Sequence, residues 1–200
     1  MRTKRPRPAT TRPIFVGIDG GKALRAAVLR VFEHPVIGRC QLHKIRNVAD
    51  KLPDHLASTV GKRMRAAYHA ESAIVAQAQL EALAHELDRT HPGAAGSVRE
   101  GMAETLTVLR LDVSPTLART LRSTNCIESM ISIARTHSSN VKNWQNGTMA
   151  LRWCAAGMIE AGKQFRRVNG HLHLRSLRDT LEKVTETAGV IVQDEAVTAA

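Results

Sequence analysis

Ile14-Phe15-Val16-Gly17-Ile18-Asp19-Gly20-Gly21 is the stretch on which the reading of the fold turns. Its first five residues form an apolar run without polar alternation, the pattern of a strand buried on both faces. Asp19 closes that strand and two glycines turn the chain. Lys22 to Phe32 continues with Leu24, Val28, Val31 and Phe32 at helical spacing. After His34-Pro35, Val36-Ile37-Gly38-Arg39-Cys40 reads as a second short strand. Strand, helix, strand is a βαβ unit, which sets two strands parallel.

Downstream of residue 42 the sequence favours helix throughout. His43 to Leu52 stops at Pro53, and Leu56, Val60, Met64 and Ala67 mark one face of the next helix. Ala76, Leu80, Leu83 and Leu87 mark another. His91-Pro92-Gly93 breaks it, and Val98, Met102, Leu106 and Leu109 resume the helical spacing. Asp112 to Pro115 is a loop and a restart. A capped helix is expected from Asn125, a long one from Thr148 to about Arg167, and a last amphipathic one through Leu174, Leu177, Leu181 and Val184. The fold class expected is therefore α/β and strongly helix-dominated, a short βαβ element with a large all-helical insertion. A doubly buried strand needs neighbours, since two strands alone are marginal in water. Part of the sheet is thus expected from a longer protein or from a partner.

Composition narrows the function classes. The apolar fraction is 43% and aromatics are 3%, so the core is expected from Leu, Val, Ile, Met and Ala. No apolar run approaches the ~20 residues of a membrane span, and no membrane partner is expected. Cys40, Cys126 and Cys154 are an odd number without close pairing, which suits a reduced, cytoplasmic protein. Net charge is +11 and unevenly spread. Residues 1–52 hold 12 basic against 3 acidic residues, residues 53–113 hold 6 against 8, and residues 114–200 hold 11 against 7. The excess flanks a near-neutral middle. A polyanion partner fits that distribution, because each phosphate neutralised by Lys or Arg releases counterions.

Each chemistry-bearing residue has a plainer alternative beside it. Asp19, at the carboxyl end of a parallel strand, stands where α/β sheets place ligand-binding groups; the alternative is an Asp-Gly turn. Glu128 lies three residues after Asn125, the spacing of a capping box with Asn125 as cap, and Ile127, Met130, Ile131 and Ala134 are expected to face the core. Cys40-x-x-His43 could be half of a zinc site, but no matching second pair stands out, so a structural or supporting role is expected. Trp144 and Trp153 could stack on bases, although a Trp on an apolar helix is more often core. No P-loop, dinucleotide fingerprint or nucleophile elbow is present in the sequence.

Six stretches, taken together, closely resemble the mutator-type transposases of bacterial insertion sequences. They are Phe15-Val16-Gly17-Ile18-Asp19-Gly20-Gly21-Lys22-Ala23-Leu24, Arg39-Cys40-Gln41-Leu42-His43-Lys44-Ile45-Arg46-Asn47-Val48, Glu100-Gly101-Met102-Ala103-Glu104-Thr105-Leu106-Thr107, Arg122-Ser123-Thr124-Asn125-Cys126-Ile127-Glu128, Met149-Ala150-Leu151-Arg152-Trp153 and Phe165-Arg166-Arg167-Val168-Asn169-Gly170-His171. They run in the family's order from about residue 13 to about residue 183.

The resemblance implies an RNase H-like catalytic core with a helical insertion before its last acid. On that basis the chain divides into a basic disordered leader (1–12), a partial RNase H-like core (13–44), a helical insertion (45–120), returning core helices (121–187) and a tail (188–200). The family's second and third acids map onto Asp19 and Glu128, and its Cys-x-x-His element onto Cys40 and His43. Asp19 and Glu128 would be both catalytic residues and ligands of Mg²⁺ or Mn²⁺, hard cations that prefer oxygen. The implied reaction is two-metal DNA cleavage and strand transfer at element ends. Its partners would be double-stranded DNA, as terminal repeats and as target, and a second copy or a full-length transposase, all in the bacterial cytoplasm on the nucleoid. Lys22, Lys44, Arg46, Arg122 and Arg135 are candidate phosphate contacts by charge and placement. The family's first aspartate lies well upstream of its second, and no acidic residue precedes Asp19 here. The expectation is a C-terminal portion of a transposase that is inactive alone; the alternative is a non-catalytic fragment that binds DNA or transposase and modulates transposition.

Overall fold

The computed structural model describes residues 12–185; the expected leader (1–12), apart from Arg12, and the tail (188–200) lie outside the described residues. Helices dominate. β1 (Ile14–Ile18), α1 (Lys22–Val31) and β2 (Pro35–Arg39) form the expected βαβ unit. The two strands are parallel, in a register that pairs Ile14 with Pro35 and Ile18 with Arg39. Side chains alternate across the sheet as the two-residue period requires. Val16, Ile18 and Ile37 pack with Val28 and Phe32 of α1, whereas Phe15 and Val36 turn the other way, toward Leu111, Leu117, Leu177 and Leu181. β1 is less enclosed than its apolar run suggests. Ile18 is buried, but Ile14, Phe15 and Val16 are half-buried and Gly17 is exposed. The reason is the small sheet, which among the described residues has these two strands.

The helical part follows directly. α2 (Gln41–Ala49), α3 (Asp54–Ala67), α4 (Ala73–Asp88), α5 (Pro92–Arg99), α6 (Met102–Thr105) and α7 (Thr107–Arg110) run without an intervening strand. One core joins them, with Val48, Met64, Ala76, Leu80, Leu83 and Leu106 among its fully buried members. Each Val, Leu or Met among them contributes about 1.5–3 kcal/mol on removal from water. Ser72 caps α4 by accepting the Val75 N–H at 3.2 Å, and Pro92 starts α5 in the first turn, where its missing N–H costs nothing. The helical spacing from Val98 to Leu109 is interrupted at Glu100 and at Gly101, whose φ is +65°. α6 and α7 lie along β2. Thr107 Oγ1 donates to the Ile37 carbonyl at 2.8 Å, which satisfies an edge acceptor of the sheet.

α8 (Pro115–Leu121), α9 (Asn125–Ser138) and α10 (Gly147–Lys163) follow, then a 3₁₀ turn (His171–His173) and a helix, α11, over residues 174–185. Residue contacts divide the chain into two units, Thr124–Val168 and the remainder. In the smaller unit α9 and α10 pack on one another. A Cβ on Gly157 would come within 2.6 Å of the Ala134 Cα, so glycine is what permits the close approach. Two expectations fail here. No residue of α9 is buried, and Ile127 and Ile131 are exposed rather than core. Trp144 and Trp153 are likewise 46% and 37% exposed. α10 ends at Lys163, short of Arg167. In the larger unit Gly170 adopts φ +77° at the turn before α11, which buries Leu177 and Leu181 but leaves Leu174 and Val184 largely exposed.

Candidate functional site

Asp19 leaves the carboxyl end of β1 with its side chain exposed. Its Oδ1 accepts the Gly21 N–H at 2.9 Å, so the turn itself fixes the carboxylate. The Asp-Gly turn is formed, and it leaves an exposed carboxylate where a parallel strand ends. Cys40 continues β2, donating its N–H to the Ile18 carbonyl at 2.7 Å, and its side chain is buried and outside any disulfide. His43 is half-buried on α2. The Gln41 N–H bonds the Arg122 carbonyl at 2.9 Å, tying the end of α8 to the start of α2. Cys40 thus sits inside the strand-to-helix junction.

Beneath the Asp19 turn lies a charged cluster. Arg39, at the end of β2, is 6% exposed, and Lys44 is 1% exposed. Both reach Glu100: Arg39 Nη2 lies 2.9 Å from Glu100 Oε2, and Lys44 Nζ lies 3.2 Å from the same oxygen. Lys44 Nζ also donates to the Glu100 backbone carbonyl, as does Arg39 Nη1 at 3.3 Å. That carbonyl therefore serves two side chains, and the chain breaks between α5 and α6 at this point. The hydrogen bond from Arg39, and then that from Lys44, hold the Glu100 carboxyl down to about 2. Lys44 does not shift upward in return. Burial and the neighbouring Arg39 push its ammonium down more strongly than Glu100 raises it, because the ammonium is enclosed while the carboxylate is half in water.

This cluster corrects one expected phosphate contact. Lys44 falls in the buried stripe Gln41-Lys44-Ile45-Val48 of α2, and an ammonium enclosed there and paired with Glu100 does not present itself to DNA. Arg122 is half-buried; its Nε has no hydrogen-bond partner among the described residues, and burial lowers its pKa. Lys22, at the start of α1, and Arg46, on α2, are exposed as expected.

Glu128 belongs to the smaller unit. α9 starts at Asn125, so the cap position is Thr124 rather than Asn125. The buried Thr124 donates its hydroxyl to Glu128 Oε1 at 2.6 Å, so cap and acid are joined with Thr124 in place of the expected Asn125. Glu128 is exposed in the first turn, where the helix N-terminus favours a carboxylate. Arg135 is exposed in the last turn of α9. Asp19 and Glu128 are each an exposed carboxylate with one oxygen held by a short local bond, and each offers the hard oxygen donor that Mg²⁺ or Mn²⁺ prefers. Among the described residues, no three His, Cys, Asp or Glu side chains gather as a metal cluster, and no helix is long and apolar enough to cross a membrane.

Arg39 and Glu100 were not singled out by sequence reasoning. The signal available was Lys44 itself, a charged residue in an apolar stripe, which demands a buried partner.

Comparison with known proteins identifies relatives over most of the chain. The model of the family described as "Transposase, Mutator family" matches residues 13–168. The chain is 26% identical over 161 residues to the transposase for insertion sequence element ISRM5 of Rhizobium meliloti (strain 1021), covering 80% of this chain and 40% of that protein. It is 24% identical over 143 residues to the transposase for insertion sequence element IST2 of Acidithiobacillus ferrooxidans, covering 72% of this chain and 48% of that protein. The chain spans less than half the length of either relative.

Proposed function

The chain belongs to the Mutator family of transposases, and from that premise we propose that it carries part of the catalytic centre for metal-dependent DNA cleavage and strand transfer at the ends of an insertion sequence. The observation that carries the proposal is the placement of Asp19: an exposed carboxylate at the carboxyl end of a parallel strand, fixed by its own Gly turn. The βαβ unit then corresponds to a portion of an RNase H-like sheet, with residues 45–120 as the insertion and α9 bearing the last acid. Asp19 and Glu128 would hold Mg²⁺ or Mn²⁺ through their carboxylate oxygens. When bound, such ions supply a polarised nucleophile and neutralise charge on the leaving oxygen in an in-line displacement.

The chain's own residues do the rest. The Gly21 N–H and the Thr124 hydroxyl each hold one carboxylate oxygen and so orient Asp19 and Glu128 before any ligand arrives. Lys22, Arg46 and Arg135 are exposed cations suited to phosphate contact, and double-stranded DNA is the partner that the net charge of +11 favours. A further carboxylate, from a strand added beside β1, would complete the ligand shell.

The test places these residues in a protein as long as the relatives. Asp19→Asn and Glu128→Gln should each reduce Mg²⁺-dependent cleavage of element-end DNA to background while leaving DNA binding intact; cleavage retained in either variant would refute the assignment. A second reading, a non-catalytic fragment that binds DNA or transposase, is favoured by one observation, the charge excess. It predicts salt-sensitive DNA binding by the 200-residue chain that Glu128→Gln does not change.

A further inference from the structure

We propose that Arg39 is the positioning residue for Asp19: its guanidinium, clamped by Glu100 and packed between two positive-φ glycines, fixes the turn that presents the acid. The proposal rests on the reading of Asp19 as a metal ligand. Arg39 pairs with Ile18 in the sheet register, so it stands across from the residue immediately before Asp19. Its side chain is only 5% exposed, which removes it from direct contact with nucleic acid.

Three contacts define its place. Glu100 takes Nη2 at 2.9 Å and, through its backbone carbonyl, Nη1 at 3.3 Å. Gly20, at φ +103°, lies directly against the guanidinium, and a Cβ there would overlap Nε and Cζ. Gly101, at φ +65°, lies against Nη1 in the same way. The left-handed backbone favours glycine at both positions, and a side chain at either would displace the guanidinium. The Asp19–Gly21 hydrogen bond spans the Gly20 peptide, so any shift of Gly20 against Arg39 moves both partners of that bond. Arg39 Nε is buried with no hydrogen-bond partner among the described residues. A cluster selected for stability alone would satisfy that donor. Through this one side chain the strand-end acid is joined to the Glu100–Gly101 junction, where the helical insertion turns back along β2.

Lysine keeps the charge but loses the planar fork that Glu100 and the two glycines enclose. The experiment compares wild-type chain with Arg39→Lys and Glu100→Gln by amide hydrogen exchange and ¹⁵N shifts at Gly20 and Gly21, with Leu80 and Leu83 as reporters of the global fold. Mn²⁺ titration of the Gly20 resonance gives a second readout. The expected result is faster Gly21 exchange and displaced Gly20 and Gly21 shifts in both variants, with Leu80 and Leu83 protection unchanged and a several-fold higher Mn²⁺ midpoint. Gly20 and Gly21 unmoved in a folded variant would overturn the proposal. Glu100→Gln keeps arginine at position 39 and loosens only its clamp, so it decides the matter if Arg39→Lys does not fold. Should Mn²⁺ leave Gly20 of the wild type unbroadened while the variants still displace Gly21, the metal reading fails and the positioning role stands.

Discussion

Two regions of this chain are helical for different reasons. In α2–α7 the apolar spacing, the caps and the burial agree: Val48, Met64, Leu80, Leu83 and Leu106 form one enclosed core. In the unit from Thr124 to Val168 the helices are as long, yet α9 buries nothing and α10 buries only Gly157 and Ala161. Leu151 and Ile159 on α10 are 69% and 68% exposed. A periodic apolar pattern therefore marks a helix face that can be covered, and it does not say that the face is covered within the chain. The acid on the strand end stands against a packed frame, whereas Glu128 is carried by a lightly buried helix pair.

The largest expected effect separates the two regions directly. Leu83→Ala should cost about 2–5 kcal/mol by leaving a cavity, measured as a lowered urea midpoint. Ile159→Ala should stay within about 0.5 kcal/mol. Equal losses would erase the contrast.

Gly157→Val comes next. Any side chain there meets the Ala134 backbone, so α9 and α10 should separate at a cost of about 1–3 kcal/mol. Hydrogen exchange would show faster exchange throughout residues 124–168 with Leu83 unaffected; protection retained in α9 would contradict the close approach.

The acid response sharpens the comparison. Glu100 has a folded pKa of about 2, below its ordinary 4.5. A depressed carboxyl contributes stability above its unfolded pKa and loses it as the pH falls through the folded one. Stability of the larger unit should therefore fall between about pH 4.5 and about pH 2, and Glu100→Gln should flatten that part of the curve in urea titrations. Glu160, bonded to Lys163 at 2.6 Å on the surface of α10, should have little influence there, since solvent screens such pairs.

The smallest effects are the caps. Ser72→Ala at α4 and Asn146→Ala at α10, where Asn146 Oδ1 accepts the Met149 N–H at 2.8 Å, should each cost about 1 kcal/mol. The difference lies in the response: Ser72→Ala lowers the urea midpoint of the whole core, and Asn146→Ala frays only the start of α10 in hydrogen exchange.

Sequence carried the βαβ unit, its parallel sense and most helix positions, because strand runs, glycine turns and helical spacing are local signals. It misplaced features set by tertiary contact. The break at Glu100–Gly101 depends on Arg39 and Lys44 reaching a carbonyl from far along the chain. Lys44 looked like a surface cation because neighbouring Arg46 is one, and only its place in the Gln41-Ile45-Val48 stripe betrays it. Asn125 and Thr124 both fit a cap; the helix start decides between them. Ile127 and Ile131 follow a core period without a core to enter.

We propose above all that Asp19 and Glu128 both act as metal ligands. The most direct measurement is Mn²⁺-induced line broadening in the ¹⁵N-labelled chain with an element-end DNA duplex, read at Gly20 and Gly21 and at Ile127 and Ser129. The account predicts that both groups of resonances broaden and that Asp19→Asn abolishes the effect at Gly20 and Gly21. Broadening at one group only, or broadening at Gly20 and Gly21 that survives Asp19→Asn, would contradict it.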